Sequence, residues 1–377
     1  MKVVIISRYI YPAIAPRPMR ATELAKEFAR QGHDVRLYGI IGDYDYTNFE
    51  KKHKLKVKSL GNLLFHKGNS SKFASSNSIL IRGFTKIFGK FLEFPDIELS
   101  PKVYKALKDE EGVDLLITVA IPYPLHWGAA LYKSLNKNAL NKTIWVADCG
   151  DPYMGNPLSQ HPFYFKYVEK WFCRKADFIT VPIEAAKKAY YPEFKNKIRV
   201  IPQGFNFDEI NLKKLYQGNP CPTFIYAGVF YKEGRNPKPL LDFLSTLELE
   251  FKFIVYTKSI KIIEPYIEKL KNKLIVNPYV TRKELLEAMA KADFLLNLEN
   301  KTNLQSPSKL IDYSLTGRPI LSLNTNNELN TEIILQFLEG NYKQRLLINN
   351  IEQYNISNVV ARFIELVIKQ KNLILDS

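Results

Sequence analysis

The chain has 377 residues, 46% of them hydrophobic and 13% aromatic, with a formal net charge of +16. This is the composition of a globular protein, long enough that two domains are expected rather than one core. No run of about 18 apolar residues is present, which excludes an ordinary membrane-spanning helix, and "MKVVIIS" reads as a strand start rather than a signal peptide, so a cytoplasmic location is the expectation.

Strand-like runs alternate with helical periodicity. In the first half the strands read "KVVIIS", "DVRLYGI", "DLLITVA", "TIWVAD", "FITVP" and "IRVIPQG"; in the second half "TFIYAG", "FKFIVYT", "LIVNPY", "DFLLNL", "PILSL" and "RLLINN". Helical patterns fall between them, at Arg20 to Gly32, at Arg282 to Ala292 and in the closing "NVVARFIELVIKQ". The alternation predicts an α/β protein with mainly parallel sheets. The turn-rich "YQGNPCPT", Tyr216 to Thr223, separates the two strand sets and sets the expected boundary. The expected domains are 1–215, with the closing helix 355–377 packed back on it, and 216–354. Two Rossmann-like halves facing a cleft are the expected architecture. Cys149, Cys173 and Cys221 lack the short paired spacing of a zinc or redox motif and read as buried thiols.

The charge is unevenly placed. Residues 51–90 hold ten Lys and Arg and no Asp or Glu. Within "ILIRGFTKIFGKFLEF" the residues Phe84, Phe88 and Phe91 share an apolar stripe, while Arg82, Lys86 and Lys90 lie opposite. Such a basic amphipathic segment suits an anionic membrane surface. A solvated surface, or nucleic acid, are the rival readings.

Among motifs of phosphate chemistry, G-x-G, the Walker loop, H-E-x-x-H and G-x-S-x-G are all missing from the sequence. "DYD", at Asp43 and Asp45, offers paired carboxylates for a divalent metal or simply a solvated loop. Two loops of the second half are more informative. "YAGVFYKEGRNP" ends a strand at Gly228 and carries Arg235 towards a helix that starts near Pro237. "SPSKLIDYSLTGRP" opens a helix with Ser306 as cap, Pro307 at its first position and Lys309 one turn in, closed by Gly317. Both loops leave the carboxyl edge of one parallel sheet, where helix N-termini, an Arg and a Lys would converge on a diphosphate.

These stretches, with "YPAIAPRPMRATELAKEFARQGHDVRLYG", "WVADCGDPY", "IPQGFNFD" and "PYVTRKELLEAMAKADFLLNLEN", resemble the family 4 (group 1) glycosyltransferases of the GT-B fold. The resemblance implies a retaining sugar transfer from a nucleotide-sugar donor to a lipid-linked or polysaccharide acceptor in surface glycan biosynthesis. It implies no tightly held metal. No tightly bound cofactor and no nucleic-acid partner are expected, and the basic amphipathic segment is expected to hold the enzyme peripherally on the inner face of the cytoplasmic membrane. The resemblance implies donor contacts by Gly228, Arg235, Tyr279, Val280, Ser308, Lys309 and Asp312, with Asp312 at the second position of a two-acid signature. The first acid position is Leu304, and Val229 and Gly234 stand where basic residues are usual, so Arg235 substitutes for that charge. On the acceptor side the resemblance points to Arg17, Arg20 and His126. His126, at a helix start after "DLLITVAIPYP", is expected to orient or polarise the acceptor with a pKa near the working pH, or to be a structural histidine. Asp151 is a candidate acceptor of a sugar hydroxyl's proton or hydrogen bond, or a turn-forming Asp before Pro. His126, Asp151, Arg235 and Lys309 form the expected catalytic set. The rival readings are a metal-dependent GT-A transferase using Asp43 and Asp45, and a basic nucleic-acid-binding protein.

Overall fold

The structure is a computed structural model that describes residues 1–64, 89, 91–136, 143–156, 161–207, 216–231, 235–299, 308–325 and 328–375. Arg82, Phe84, Lys86, Phe88 and Lys90 of the basic stripe, and the helix-opening Ser306 and Pro307, lie outside the described residues. The chain forms two compact units, one of Met1–Asn206 with Tyr354–Ser377 and one of Phe207–Gln353.

Among the described residues the first unit has seven parallel strands, β1 (Lys2–Ser7), β2 (Asp34–Gly39), β3 (Lys56–Ser59), β4 (Leu115–Ala120), β5 (Ile144–Cys149), β6 (Phe178–Val181) and β7 (Ile198–Val200). Their order is β3-β2-β1-β4-β5-β6-β7. The inner strands are continuous apolar runs because helices cover both faces. Helix α1 (Pro16–Arg30) buries Ala21, Leu24, Ala25 and Phe28 at helical spacing. It ends where Gly32 takes φ +85° and the His33 N–H bonds the Phe28 carbonyl. The unit's other α-helices ahead of the second unit, among the described residues, are α2 (Thr47–His53), α3 (Leu99–Lys108), α4 (Pro124–Leu135) and α5 (Phe165–Lys175).

Among the described residues the second unit has five parallel strands, β8 (Thr223–Ala227), β9 (Lys252–Tyr256), β10 (Leu274–Asn277), β11 (Phe294–Leu298) and β12 (Ile320–Leu323), in the order β10-β9-β8-β11-β12. Its core is an aromatic column across three neighbouring strands. Phe224 stacks on Phe253 at 4.5 Å and on Phe294 at 4.7 Å between ring centroids. The helices are α6 (Lys238–Leu244), α7 (Ile260–Leu270), α8 (Arg282–Ala290), α9 (Ser308–Leu315) and α10 (Thr331–Leu338). Tyr216 and Asn219, from the stretch read as the boundary, bond Asp293 at the head of β11, so that stretch is part of the second unit.

The closing helix α11 (Ile356–Leu375) belongs to the first unit. Val359, Val360, Phe363 and Val367 are buried in one core with Val3, Ile5, Leu24 and Phe28. Gly204 lets the returning chain pass: a Cβ there would lie 2.4 Å from Ile356 Cδ1.

The α/β class and the two parallel sheets match the sequence expectation. Two elements differ. "KVKS" forms the edge strand β3, unread because its lysines break the apolar pattern. "RLLINN" is not a strand: the Leu346 N–H bonds the Ile320 carbonyl, and Leu346 and Ile348 pack on the second unit's core without forming a ladder. Among the described residues no helix is long and apolar enough to cross a membrane.

Candidate active site

Each sheet reverses its direction of growth once, between β1 and β4 in the first unit and between β8 and β11 in the second. At such a point two neighbouring loops diverge at the carboxyl edge and leave a crevice open to ligands.

In the second unit the end of β8 and the first turn of α9, the helix that follows β11, come together there. Gly228 leaves β8 with φ +145°, a conformation that side-chain-bearing residues rarely adopt, and its N–H bonds the Tyr256 carbonyl. The Tyr231 N–H bonds the Arg235 carbonyl and ties the loop's two ends together. Lys309, in the first turn of α9, lies 4.8 Å over the ring of Tyr226 and 6.0 Å over that of Tyr313. Its Nζ is buried and has no hydrogen-bond acceptor among the described residues. Burial first, and the Arg235 charge second, bring its ammonium from 10.5 down to about 7. Burial raises the hydroxyls of Tyr226, Tyr279 and Tyr313, and in each case the Arg235 charge works the other way. Its guanidinium is thus within electrostatic reach of all three.

Tyr279 and Val280, after β10, are 46% and 39% exposed, and Lys258 Nζ lies 4.7 Å over the Tyr279 ring. Asp312 stands one turn beyond Lys309 and takes two hydrogen bonds from Arg282, at 3.0 and 2.7 Å. Burial raises its carboxyl above the usual range while Arg282 opposes the rise. The structure therefore brings Gly228, Arg235, Tyr279, Lys309 and Asp312 to one edge. Ser308 opens α9 beside them. Arg282, Tyr226 and Tyr231 are additions that the sequence reading did not assign. Arg282 had a usable signal, since "TRKE" after a strand places it at the start of a capped helix on the same edge.

In the first unit Arg17 and Asp151 come together at 3.4 Å, half-buried. The Arg17 guanidinium covers Gly150 so closely that a Cβ there would lie 1.6 Å from Cζ. Two expected acceptor residues need correction. Arg20 is 3% exposed, gives Nε and Nη2 to Asp148 at 2.6 and 2.7 Å, and bonds the carbonyls of Ile201 and Pro202. All three nitrogens are engaged inside the fold, so it ties α1 to β5 and to the chain after β7 instead of meeting a ligand. His126 is fully buried, with Nδ1 2.7 Å from Thr118 Oγ1 and Nε2 3.4 Å from Cys149 Sγ. Burial takes its pKa down to about 3 against the pull of Asp148, so it is a neutral core residue at working pH. Next to it the Tyr123 hydroxyl donates to the Asp151 carbonyl at 2.5 Å, which holds the turn that carries Asp151. Asp45 accepts from both the N–H and the hydroxyl of Thr47 in the turn just before α2. Among the described residues no group of three or more potential metal ligands is present.

The fold has counterparts over its whole length. HepE of Anabaena, solved in complex with UDP and glucose, is 12% identical, with 100% of both chains covered and a TM-score of 0.56. A glycosyltransferase from Rickettsia africae is 12% identical, with 99% of this chain and 97% of that one covered and a TM-score of 0.59. The UDP-GlcNAc 2-epimerase from Neisseria meningitidis, bound to UDP-GlcNAc, is 14% identical, with 98% and 100% covered and a TM-score of 0.55. No curated protein matches the sequence. The fold is GT-B. A family model described as "Glycosyltransferase Family 4" matches residues 19–209, just over half of the chain. The chain belongs to glycosyltransferase family 4, and is a glycosyltransferase.

Proposed function

We propose that the protein transfers a sugar, with retention of anomeric configuration, from a nucleoside diphosphate sugar held at the carboxyl edge of β8 to β11 to a lipid-linked or polysaccharide acceptor bound by the first unit, in surface glycan synthesis. The observation that carries the donor assignment is Lys309, whose buried Nζ lacks an acceptor among the described residues while Arg235 acts on it from the neighbouring loop. Two cations held so close repel each other, and an anion between them relieves the repulsion. A nucleoside diphosphate supplies that anion. In the reaction the bond between the anomeric carbon and the diphosphate oxygen breaks, and its electron pair leaves with the phosphate. Arg235 and Lys309 meet the charge that grows there. The acceptor hydroxyl forms the new bond on the same face, and its proton passes to the departing phosphate. Asp312 faces the ribose, Tyr279 and Val280 border the base, and Arg17 with Asp151 receive acceptor hydroxyls.

The membrane part of the proposal rests on exposed side chains. Lys51, Lys52, Lys54 and Lys56 are exposed on α2, the following turn and the edge strand β3, and Phe91 is 48% exposed at the end of the basic stretch. Charge and apolar contact together hold a protein on an acidic leaflet where one alone does not.

The test is a melting-temperature panel of UDP-, GDP-, dTDP- and CMP-sugars on wild type and Lys309→Met, followed by mass detection of product with membrane-extracted acceptors. One nucleotide class should stabilise the wild type and not the variant, because only ligands that bind the native state raise its stability. A wild type that none of them stabilises, or a variant stabilised equally, would overturn the donor site.

A further inference from the structure

The ion pair between Arg282 and Asp312 joins residues thirty positions apart on different helices, and its geometry is lopsided. Arg282 Nε and Nη2 both point at Asp312 Oδ1, at 3.0 and 2.7 Å. Oδ2 has no hydrogen-bond partner among the described residues, and the Asp312 side chain remains 20% exposed. Arg282 is itself held firmly at its backbone. It is the first residue of α8, directly after Thr281, whose hydroxyl accepts the Glu284 N–H at 3.3 Å while the Glu284 carboxylate accepts the Thr281 N–H at 2.9 Å. This reciprocal cap fixes the first helical turn and with it the root of the Arg282 side chain. α9, which carries Asp312, is fixed separately by Tyr313, whose hydroxyl accepts the Ala227 N–H at 3.0 Å at the end of β8.

We propose that Arg282 is a positioning residue for the donor's ribose: it clamps one oxygen of Asp312 and thereby presents the other to a ribose hydroxyl. This rests on the donor-site reading above and adds to it a specificity determinant outside the phosphate loops. An unclamped aspartate side chain rotates among staggered states and loses part of the energy of any bond it then makes. A planar guanidinium that gives two N–H groups to one oxygen removes that freedom. The clamp also opposes the rise that burial imposes on the carboxyl, and a charged acceptor makes the stronger hydrogen bond.

The experiment measures binding of UDP, GDP, ADP and CDP by calorimetry, then of the 2′-deoxy and 3′-deoxy analogues of whichever binds tightest. Proteins compared are wild type, Asp312→Asn, Arg282→Ala, Arg282→Lys and, as a control on the same helix, Lys283→Ala. In wild type at least one deoxy analogue should bind roughly tenfold or more weakly, in line with a charged hydrogen bond. That discrimination should fall about fivefold or more in both Arg282 variants and disappear in Asp312→Asn, while Lys283→Ala keeps it. A purely structural role for Arg282 would lower the melting temperature and leave the ratio of parent to deoxy affinity unchanged, which would overturn the proposal. Should Arg282→Ala not fold, Arg282→Lys decides, since it keeps the charge and loses the two-pronged grip. If a diphosphate binds with full discrimination in every variant, the donor site stands and the role of Arg282 falls. If no nucleoside diphosphate binds wild type, both fall.

Discussion

Replacing Lys309 with Met should have opposite effects on stability and on ligand binding. The ammonium is brought from 10.5 to about 7 by burial and by Arg235, which corresponds to about 4 to 5 kcal/mol of cost in keeping it charged in the empty protein. The rings of Tyr226 and Tyr313 beneath it, together with local relaxation, offset part of this, so on the order of 2 kcal/mol of strain remains at pH 7. The folded pKa lies below the unfolded one. The cost is therefore fully present below about pH 7, fades between pH 7 and 10.5, and is gone above that. Methionine fills similar space without the charge, so the ligand-free variant should unfold at higher denaturant than wild type at pH 6.5, and the gap should close by pH 10. Binding of a nucleoside diphosphate should run the other way. Wild type must hold a proton on Lys309 to receive the phosphates, so near pH 8 binding should take up close to one proton, seen as a dependence of calorimetric heat on the buffer's ionisation enthalpy. The variant should show no uptake and affinity lower by about two orders of magnitude. A variant less stable than wild type at low pH, with unchanged affinity, would refute the argument, because Lys309 would then be a structural cation with a partner of its own.

Other outcomes follow from the same contacts. Arg20→Ala leaves Asp148 charged and buried and should cost about 3–5 kcal/mol in chemical denaturation, or prevent folding; a loss of activity at normal stability would return Arg20 to the acceptor site. Gly150→Ala places a Cβ on the Arg17 guanidinium and should push that side chain off Asp151, raising the acceptor's KM several-fold with donor affinity unchanged; an unchanged KM would remove this pair from the acceptor site. Phe363→Ala opens the core shared by α1 and α11 and should cost about 3–5 kcal/mol of the first unit's stability, read by thermal melting, whereas a change below about 1 kcal/mol would mean the closing helix is dispensable. Exchanging Lys51, Lys52, Lys54 and Lys56 for Glu should abolish sedimentation with acidic vesicles at low salt and spare donor binding, and retention on the vesicles would rule out the lysine face as the contact.

What could be read from the sequence divides along physical lines. Apolar runs such as "KVVIIS" and "DFLLNL" are legible because strands buried on both faces need them, and Gly317 is legible because only the left-handed region, φ +70° here, closes α9. Edge strand β3 was hidden because an edge needs neither burial nor pattern, and its lysines are what a solvent-facing edge calls for. Lys309 was visible because it lies in the first turn of a helix that follows a strand, a place set by local chemistry. For Arg282 the local signal is only its place, the start of the capped helix in "TRKE"; its role comes from Asp312 across thirty residues and is not legible there. The resemblance points to Arg20 and His126 as acceptor residues, and sequence places both near loop ends. It does not say which way a helical side chain faces, and both turn inward to partners on β4, β5 and the chain after β7 that only the folded chain supplies.

Arg20 and Lys309 together suggest a criterion for choosing among the cations of a strongly basic protein. Both sit early in helices that follow parallel strands, and both carry a buried charged end. Arg20 has its Nε, Nη1 and Nη2 bonded to Asp148, Ile201 and Pro202, so its desolvation is compensated whether or not a ligand is present. Lys309 rests on the faces of two tyrosines, has no hydrogen-bond acceptor among the described residues and is pushed further by Arg235. A buried cation compensated by its own fold is part of the scaffold. One left uncompensated raises the energy of the empty protein and is relieved by an incoming anion, so that energy is returned as affinity. Position in a loop cannot separate the two cases, whereas counting the acceptors around each charge does. On that count the donor edge of the second unit is built to receive negative charge, and the interior around Arg20 is already neutralised.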